Sequence, residues 1–349
     1  MTGSFVIKKN RILEILFFII IFLVNLKMTL NISDFATANL SILIIGISFI
    51  SLLFTKIDWI VLFFILSLFR VEASKMLFVS LLVSISRNLY IDKMAKYSFC
   101  LTVLFLIINY GLLILGVLHE EYSDFFYKSG GVVSDMGYGN PNLFSLYLFF
   151  LVIFLVVLKK EINTFLVAFI VFVIYESFYS RTVLFSGCIL LVLSFVQKTN
   201  LKKCFFNKYI LLSYPFVILF FFIVVLFNES EYSFIHEISS GRLRYSLLVF
   251  GELTPNNLLI GATNIDESII IDVAYISLLL SSGIFSLAYL YNLYCKAVSK
   301  FDYNLILIPV MLQYLFLSLS ESAIINTYLW GGLFFWIVMS GKYSCGKTN

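Results

Sequence analysis

The sequence predicts an all-α polytopic membrane protein, and three observations lead there. The hydrophobic fraction is 61% and the mean hydropathy +1.01, well outside the range of soluble domains. Charged residues make up only 13% of the chain. Apolar runs of about 18 or more residues recur along the whole length, and inside a bilayer such runs must satisfy their own backbone as helices.

Taken in order, twelve spans can be drawn, at 12–28, 37–54, 57–69, 75–87, 98–118, 141–158, 162–178, 182–196, 209–227, 272–294, 305–320 and 324–340. The whole of 1–349 reads as a single integral membrane domain. Its first apolar run, 12–24, lacks a small-residue cleavage site and reads as a first span, not a signal peptide. The third and fourth spans are short and call for tilt, local thinning of the bilayer or a re-entrant path. Pro215 inside the ninth predicts a kink near one end of that span.

Charge gives the orientation. With the N-terminus inside, the outer side keeps Lys27, Arg70, Lys75, Lys128, Arg181, Arg242 and Arg244, and the other 17 of the 24 basic residues lie inside. That bias places both termini in the cytoplasm. The net charge of +4 is therefore a topological signal and not a nucleic-acid footprint. Of the five cysteines, none falls in an outer loop, where oxidation would pair them.

Function is then expected in the two long outer loops, 119–140 and 228–271. In the second, Ser239-Ser240-Gly241-Arg242 reads as the capped start of a helix of about ten residues that stops at Gly251. Leu243, Leu247 and Phe250 share its apolar face, so it suits the membrane interface. Its N-terminus is a natural anion site with Arg242 in the first turn; the plainer reading is an Arg snorkelling to lipid phosphates. Arg244, about 200° further round the helix, cannot face the same ligand. In the first loop, Asn140 before Pro141 explains itself as a helix start, while the Asn140 and Asn142 amides also suit sugar hydroxyls.

Two further features lie at outer ends of spans. Glu176 and Arg181 flank a short turn with Tyr175 and Tyr179, which suits a carbohydrate or phosphate contact as well as a self-neutralising pair. Asp272 and Glu321 are carboxylates close to hydrocarbon, a costly position that more often marks function. Asp272 is the first choice of general base because it enters an apolar helix beginning Val273-Ala274-Tyr275; a helix N-terminal charge is the alternative. No phosphate-binding Gly-rich loop and no Cys/His metal spacing is present, and His119 and His236 are the only histidines.

Gly139-Asn140-Pro141-Asn142, then Ser240-Gly241-Arg242, Gly261, Asp272…Tyr275…Gly283 and Glu321-Ser322, in this order and on one side, resemble the bacterial O-antigen and capsular polysaccharide repeat-unit polymerases (the Wzy type). The resemblance implies a GT-C-like glycosyltransferase without metal or cofactor. It would join undecaprenyl-diphosphate-linked oligosaccharides on the outer face of the bacterial plasma membrane, beside a flippase and a chain-length regulator. It implies that outer-loop arginines hold the diphosphates, which maps onto Arg242 and Arg181, with Arg244 the weaker match. Arg242, Asp272, Glu321 and His236 form the candidate catalytic set; Arg181, Arg244, Asn140, Asn142 and Glu176 form the substrate contacts. The alternative is the related O-antigen ligase, which His236 beside Ser-Gly-Arg would suit. A flippase would instead carry its charges along a path inside the bundle.

Overall fold

The computed structural model describes residues 2–29, 34–55, 61, 65, 73–120, 122–124, 132–138, 140–159, 163–228, 242–262, 273–300, 306–319, 321–327 and 329–343. Fifteen helices lie among them: α1 (Thr2–Thr29), α2 (Asp34–Leu52), α3 (Ala73–Ser86), α4 (Ile91–Ile114), α5 (Pro141–Lys159), α6 (Thr164–Phe178), α7 (Arg181–Lys198), α8 (Lys202–Phe205), α9 (Lys208–Phe227), α10 (Arg242–Glu252), α11 (Pro255–Ile260), α12 (Ala274–Ser282), α13 (Ile284–Lys300), α14 (Leu307–Leu317) and α15 (Trp330–Ser340).

The stretches 9–29, 91–114, 141–159, 181–198 and 208–225 are helices long and apolar enough to cross a membrane, and α12 with α13 makes a sixth when that bent pair counts as one span. Of the twelve drawn spans, 57–69 lies almost wholly outside the described residues, 272–294 covers two helices, and the other ten each overlap one apolar helix. Several are short. The expected span 272–294 is corrected: it is α12 and α13 meeting at 119° across Gly283. The chain is also not wholly helical. In the first long loop, β1 (Tyr122–Asp124) pairs antiparallel with β2 (Val132–Ser134), Ser123 facing Val133. The helix α9 runs on through Pro215.

The core is built on α15. An element apolar on every face must be buried on every face, and all residues of α15 are, against α1, α3, α4, α5, α13 and α14. Gly331 and Gly332 keep its first turn thin enough to lie against the Phe150 ring and the Ala323 carbonyl. Its polar handles are all used: Trp330 Nε1 donates to Ser98 Oγ at 2.7 Å, Trp336 Nε1 to the Ile324 carbonyl at 2.5 Å, and Ser340 Oγ to the Trp336 carbonyl. The Gly331 carbonyl accepts from Tyr314 OH at 2.6 Å. Between α1 and α5, Tyr147 OH donates to the Asn25 side chain, whose amide donates to Ile21 O. Such interhelical bonds are the glue available where hydrocarbon offers no hydrophobic driving force.

Contacts mark out two ends. At one, Lys93 of α4 pairs with Glu14 of α1 at 2.7 Å, and Lys342 after α15 exchanges backbone bonds with Leu89 and Ile91. At the other, Lys27 in the last turn of α1 meets Thr327, and Thr182 at the start of α7 meets Glu321. The sequence-selected residues that are described gather at this second end.

Gly283 has φ of +60°, and a Cβ there would run into the Leu259 backbone of α11. Gly283→Ala combines a left-handed strain with a backbone clash, so it should cost about 2–4 kcal/mol. The readout is the thermal midpoint of the detergent-solubilised protein; an unchanged midpoint would show that the corner does not depend on this close approach.

Candidate functional site

The α6–α7 hairpin brings the Glu176…Arg181 turn to the second end. Tyr179, in the left-handed region at φ +50°, closes α6 by donating its N–H to Tyr175 O at 2.7 Å. Ser180 caps α7, its hydroxyl accepting from Val183 N at 3.4 Å. The hairpin closes tightly because Gly187 of α7 leaves room for Val171 of α6. Arg181 is thereby half-buried in the first turn of α7, while Glu176 is exposed on the last turn of α6.

Beside Arg181, Thr182 Oγ1 donates to Glu321 Oε1 at 3.0 Å, a bond between buried side chains 139 residues apart. It forms because α14 packs along α7 and the chain turns just after α14, with Glu321 N bonded to Leu317 O at 3.0 Å. A carboxylate taken from water is tolerated only with hydrogen-bond partners, and Thr182 is one. The start of α12 reaches the same turn: Ala274 N donates to Ser318 O at 3.2 Å and Tyr275 OH to Leu315 O at 2.9 Å.

The first long loop also ends here. Asn140 Oδ1 accepts from Asn142 N at 2.8 Å and starts α5 as the sequence predicts. Phe144 of α5 meets Phe178 of α6 edge to face at 5.0 Å, and β2 packs on α6. Between β2 and α5 the chain folds on Asp135, a buried carboxylate whose Oδ1 accepts from Gly137 N at 2.8 Å. Asn109 Nδ2 of α4 donates to the Met136 carbonyl at 2.8 Å. Tyr138 is stacked on Phe144, and burial holds its phenol protonated far above the ordinary range. Among the described residues its hydroxyl has no partner.

The second long loop is positioned through α9. Helix α10 starts at Arg242, as expected after Ser240-Gly241, and ends one residue past Gly251. Of the expected apolar face, Leu247 and Phe250 pack against the core, while the side chain of Leu243 lies outside the described residues; Ser246 and Val249 beside them are buried, and Tyr245 and Leu248 are exposed. Phe250 meets Phe227 of α9 at 6.2 Å. The sequence reading missed α11, although Thr254-Pro255 is a readable start; Thr254 Oγ1 accepts from Asn257 N. After it, Gly261 turns the chain and Ala262 N donates to Leu280 O at 2.9 Å, fastening the loop to the α12–α13 corner.

Asn140, Asn142, Glu176, Arg181 and Glu321 thus lie at one end of the bundle, and Glu321 is tied to the residue after Arg181. His236 and Asp272 lie outside the described residues, as do the side chains of Arg242 and Arg244. Thr182 and Asp135 were not singled out from sequence. No family model, curated protein or solved structure matches the chain.

Proposed function

We propose that the chain is a repeat-unit polymerase of the O-antigen or capsular polysaccharide type. It joins undecaprenyl-diphosphate-linked oligosaccharides on the outer face of the bacterial plasma membrane. The observation that carries this reading is the buried Glu321–Thr182 contact next to Arg181. Glu321 is a carboxylate able to take a proton from a sugar hydroxyl, and Arg181, the residue before Thr182, is a guanidinium able to hold a leaving diphosphate. The order of the sequence motifs supports it. In this reading the non-reducing-end hydroxyl of one lipid-linked repeat attacks the anomeric carbon of the growing chain, and the lipid diphosphate leaves. Guanidinium and helix-terminus donors offset the negative charge that develops on it. Asn140 and Asn142 are the amides offered to the sugars.

The deciding experiment supplies the purified protein with lipid-linked repeats and resolves the products by length. A ladder of multiples is expected. Single repeats alone would refute polymerisation, and transfer only to a lipid A-core acceptor would identify a ligase.

Twelve crossings with cytoplasmic termini put this end of the bundle outside. Asn256 on α11 and Asn200 after α7 are both exposed. In a cysteine-free background, a cysteine at Asn256 should react with a membrane-impermeant maleimide in whole cells and one at Asn200 should not. The reverse pattern would move the site to the cytoplasm and end the polymerase reading.

A further inference from the structure

Helices α1 and α4 pack side by side, and both are long and apolar enough to cross a membrane. Glu14 pairs with Lys93 at 2.7 Å, Phe18 meets the Tyr97 ring edge to face at 5.7 Å, and Phe22 meets Phe105 at 5.2 Å. The two helices therefore run the same way, and their seam has a charged end and an apolar end. At the charged end, Arg11, Glu14, Ile15 and Phe18 of α1 and Tyr97 of α4 line an open groove of about 430 Å³.

Two features of the groove point to its occupant. The first is its charge. Glu14 is already held by Lys93, whereas Arg11 is exposed and, among the described residues, has no hydrogen bond or ion pair. A guanidinium offers a planar fork that suits the oxygens of a phosphate. The carboxylate in the lining is engaged, so the headgroup that fits is one whose phosphate is its only charge. The second feature is an apolar strip leading away from Arg11. Ile15, Phe18 and Phe22 follow it at intervals of four, three and four residues, which puts all four on one face of α1. All four are exposed, and on α4 the exposed Leu104 and Ile108 share the face of Tyr97. From Arg11 to Phe22 the helix rises about 16 Å, close to the roughly 15 Å of hydrocarbon in one leaflet. A cation at the head of an apolar strip one leaflet deep has the layout of a phospholipid.

We propose that this groove binds an anionic glycerophospholipid, its phosphate on Arg11 and one acyl chain laid along Ile15, Phe18 and Phe22. The groove lies at the Glu14–Lys93 end of the bundle, away from Glu321 and Arg181. The inference stands apart from the polymerase reading, because lipid binding is measured without any glycan, and either can fail while the other survives.

The test follows the thermal midpoint of the purified full chain in detergent micelles while phosphatidylglycerol replaces phosphatidylcholine at constant total lipid and ionic strength. A ligand bound only by the folded state raises the midpoint in a saturating way, and the wild type should show such a rise. Arg11→Gln, at an exposed position outside the core, should raise the half-saturating lipid concentration roughly ten- to hundredfold, the worth of a hydrogen bond to a charged group. Phe18→Ala takes the ring from the groove and should weaken the response by a smaller factor. Lys9→Gln is the control. Lys9 lies about 200° from Arg11 around α1, so this variant should leave the curve unchanged. A wild type with no preference between the two headgroups would reduce Arg11 to a side chain reaching any lipid phosphate and overturn the proposal. An Arg11→Gln curve that matches the wild type, or a loss in Lys9→Gln as large as in Arg11→Gln, would overturn it too.

Discussion

Glu321→Gln should leave the protein folded in the membrane and lower polymerisation of purified lipid-linked repeats by about 10²–10⁴-fold, the usual worth of a positioned general base. The amide keeps the size of the side chain and can still accept from Thr182 Oγ1, so packing at the end of α14 is preserved while basicity is lost. Thr182→Val removes the hydrogen bond that orients the carboxylate and should cost roughly tenfold or more, since bonds to charged groups are the stronger ones. Glu321→Asp, one methylene short, should fall between. Asp272→Asn belongs in the same experiment, because the sequence alone favours Asp272 as base. If Asp272→Asn abolishes polymerisation and Glu321→Gln does not, the base is Asp272 and Glu321 only steadies α7. If both variants polymerise normally, neither Glu321 nor Asp272 takes the proton.

The elements were legible because hydropathy is a strong local signal. Pro141 after Asn140 and Ser240-Gly241 before Arg242 each set a helix start within a residue or so of the one observed. Two things were not legible. The corner at Gly283 hides inside a run that is apolar on both sides, so the run reads as one span, and only the approach of Leu259 explains the 119° bend. The centrality of α15 is also invisible locally, since Trp330–Ser340 looks like any other span until six neighbouring helices are seen to cover it. The same holds for the site. Arg181 and Glu321 stand out as charges at span ends, but the bond that couples their neighbourhoods runs through Thr182, and an isolated threonine carries no signal in an apolar sequence. Lys27 was read only as an outer-end basic residue, because burial depends on α2, α3 and the 321–327 segment closing around it.

Arg242→Ala should keep normal expression and membrane insertion yet reduce the surface glycan to single repeats. In the purified reaction the rate should fall roughly 10²–10³-fold, as when a preorganised donor to a developing oxyanion is removed. Arg242 is the first residue of α10. Free N–H groups and the positive end of the helix dipole already favour an anion there, and a guanidinium in the first turn adds a planar fork matched to a phosphate. Arg242→Lys keeps the charge but not the fork, so it should recover only part of the lost rate. Arg244 is the internal control. It lies about 200° away around the same helix, so Arg244→Ala should alter chain length far less than Arg242→Ala. An arginine that only reaches up to lipid phosphates would behave differently: Arg242→Ala would then weaken membrane seating of α10 and leave the ladder intact. Wild-type ladder length in Arg242→Ala, with Arg244→Ala equally silent, would remove the diphosphate role from α10 and leave Arg181 as the guanidinium at the leaving group.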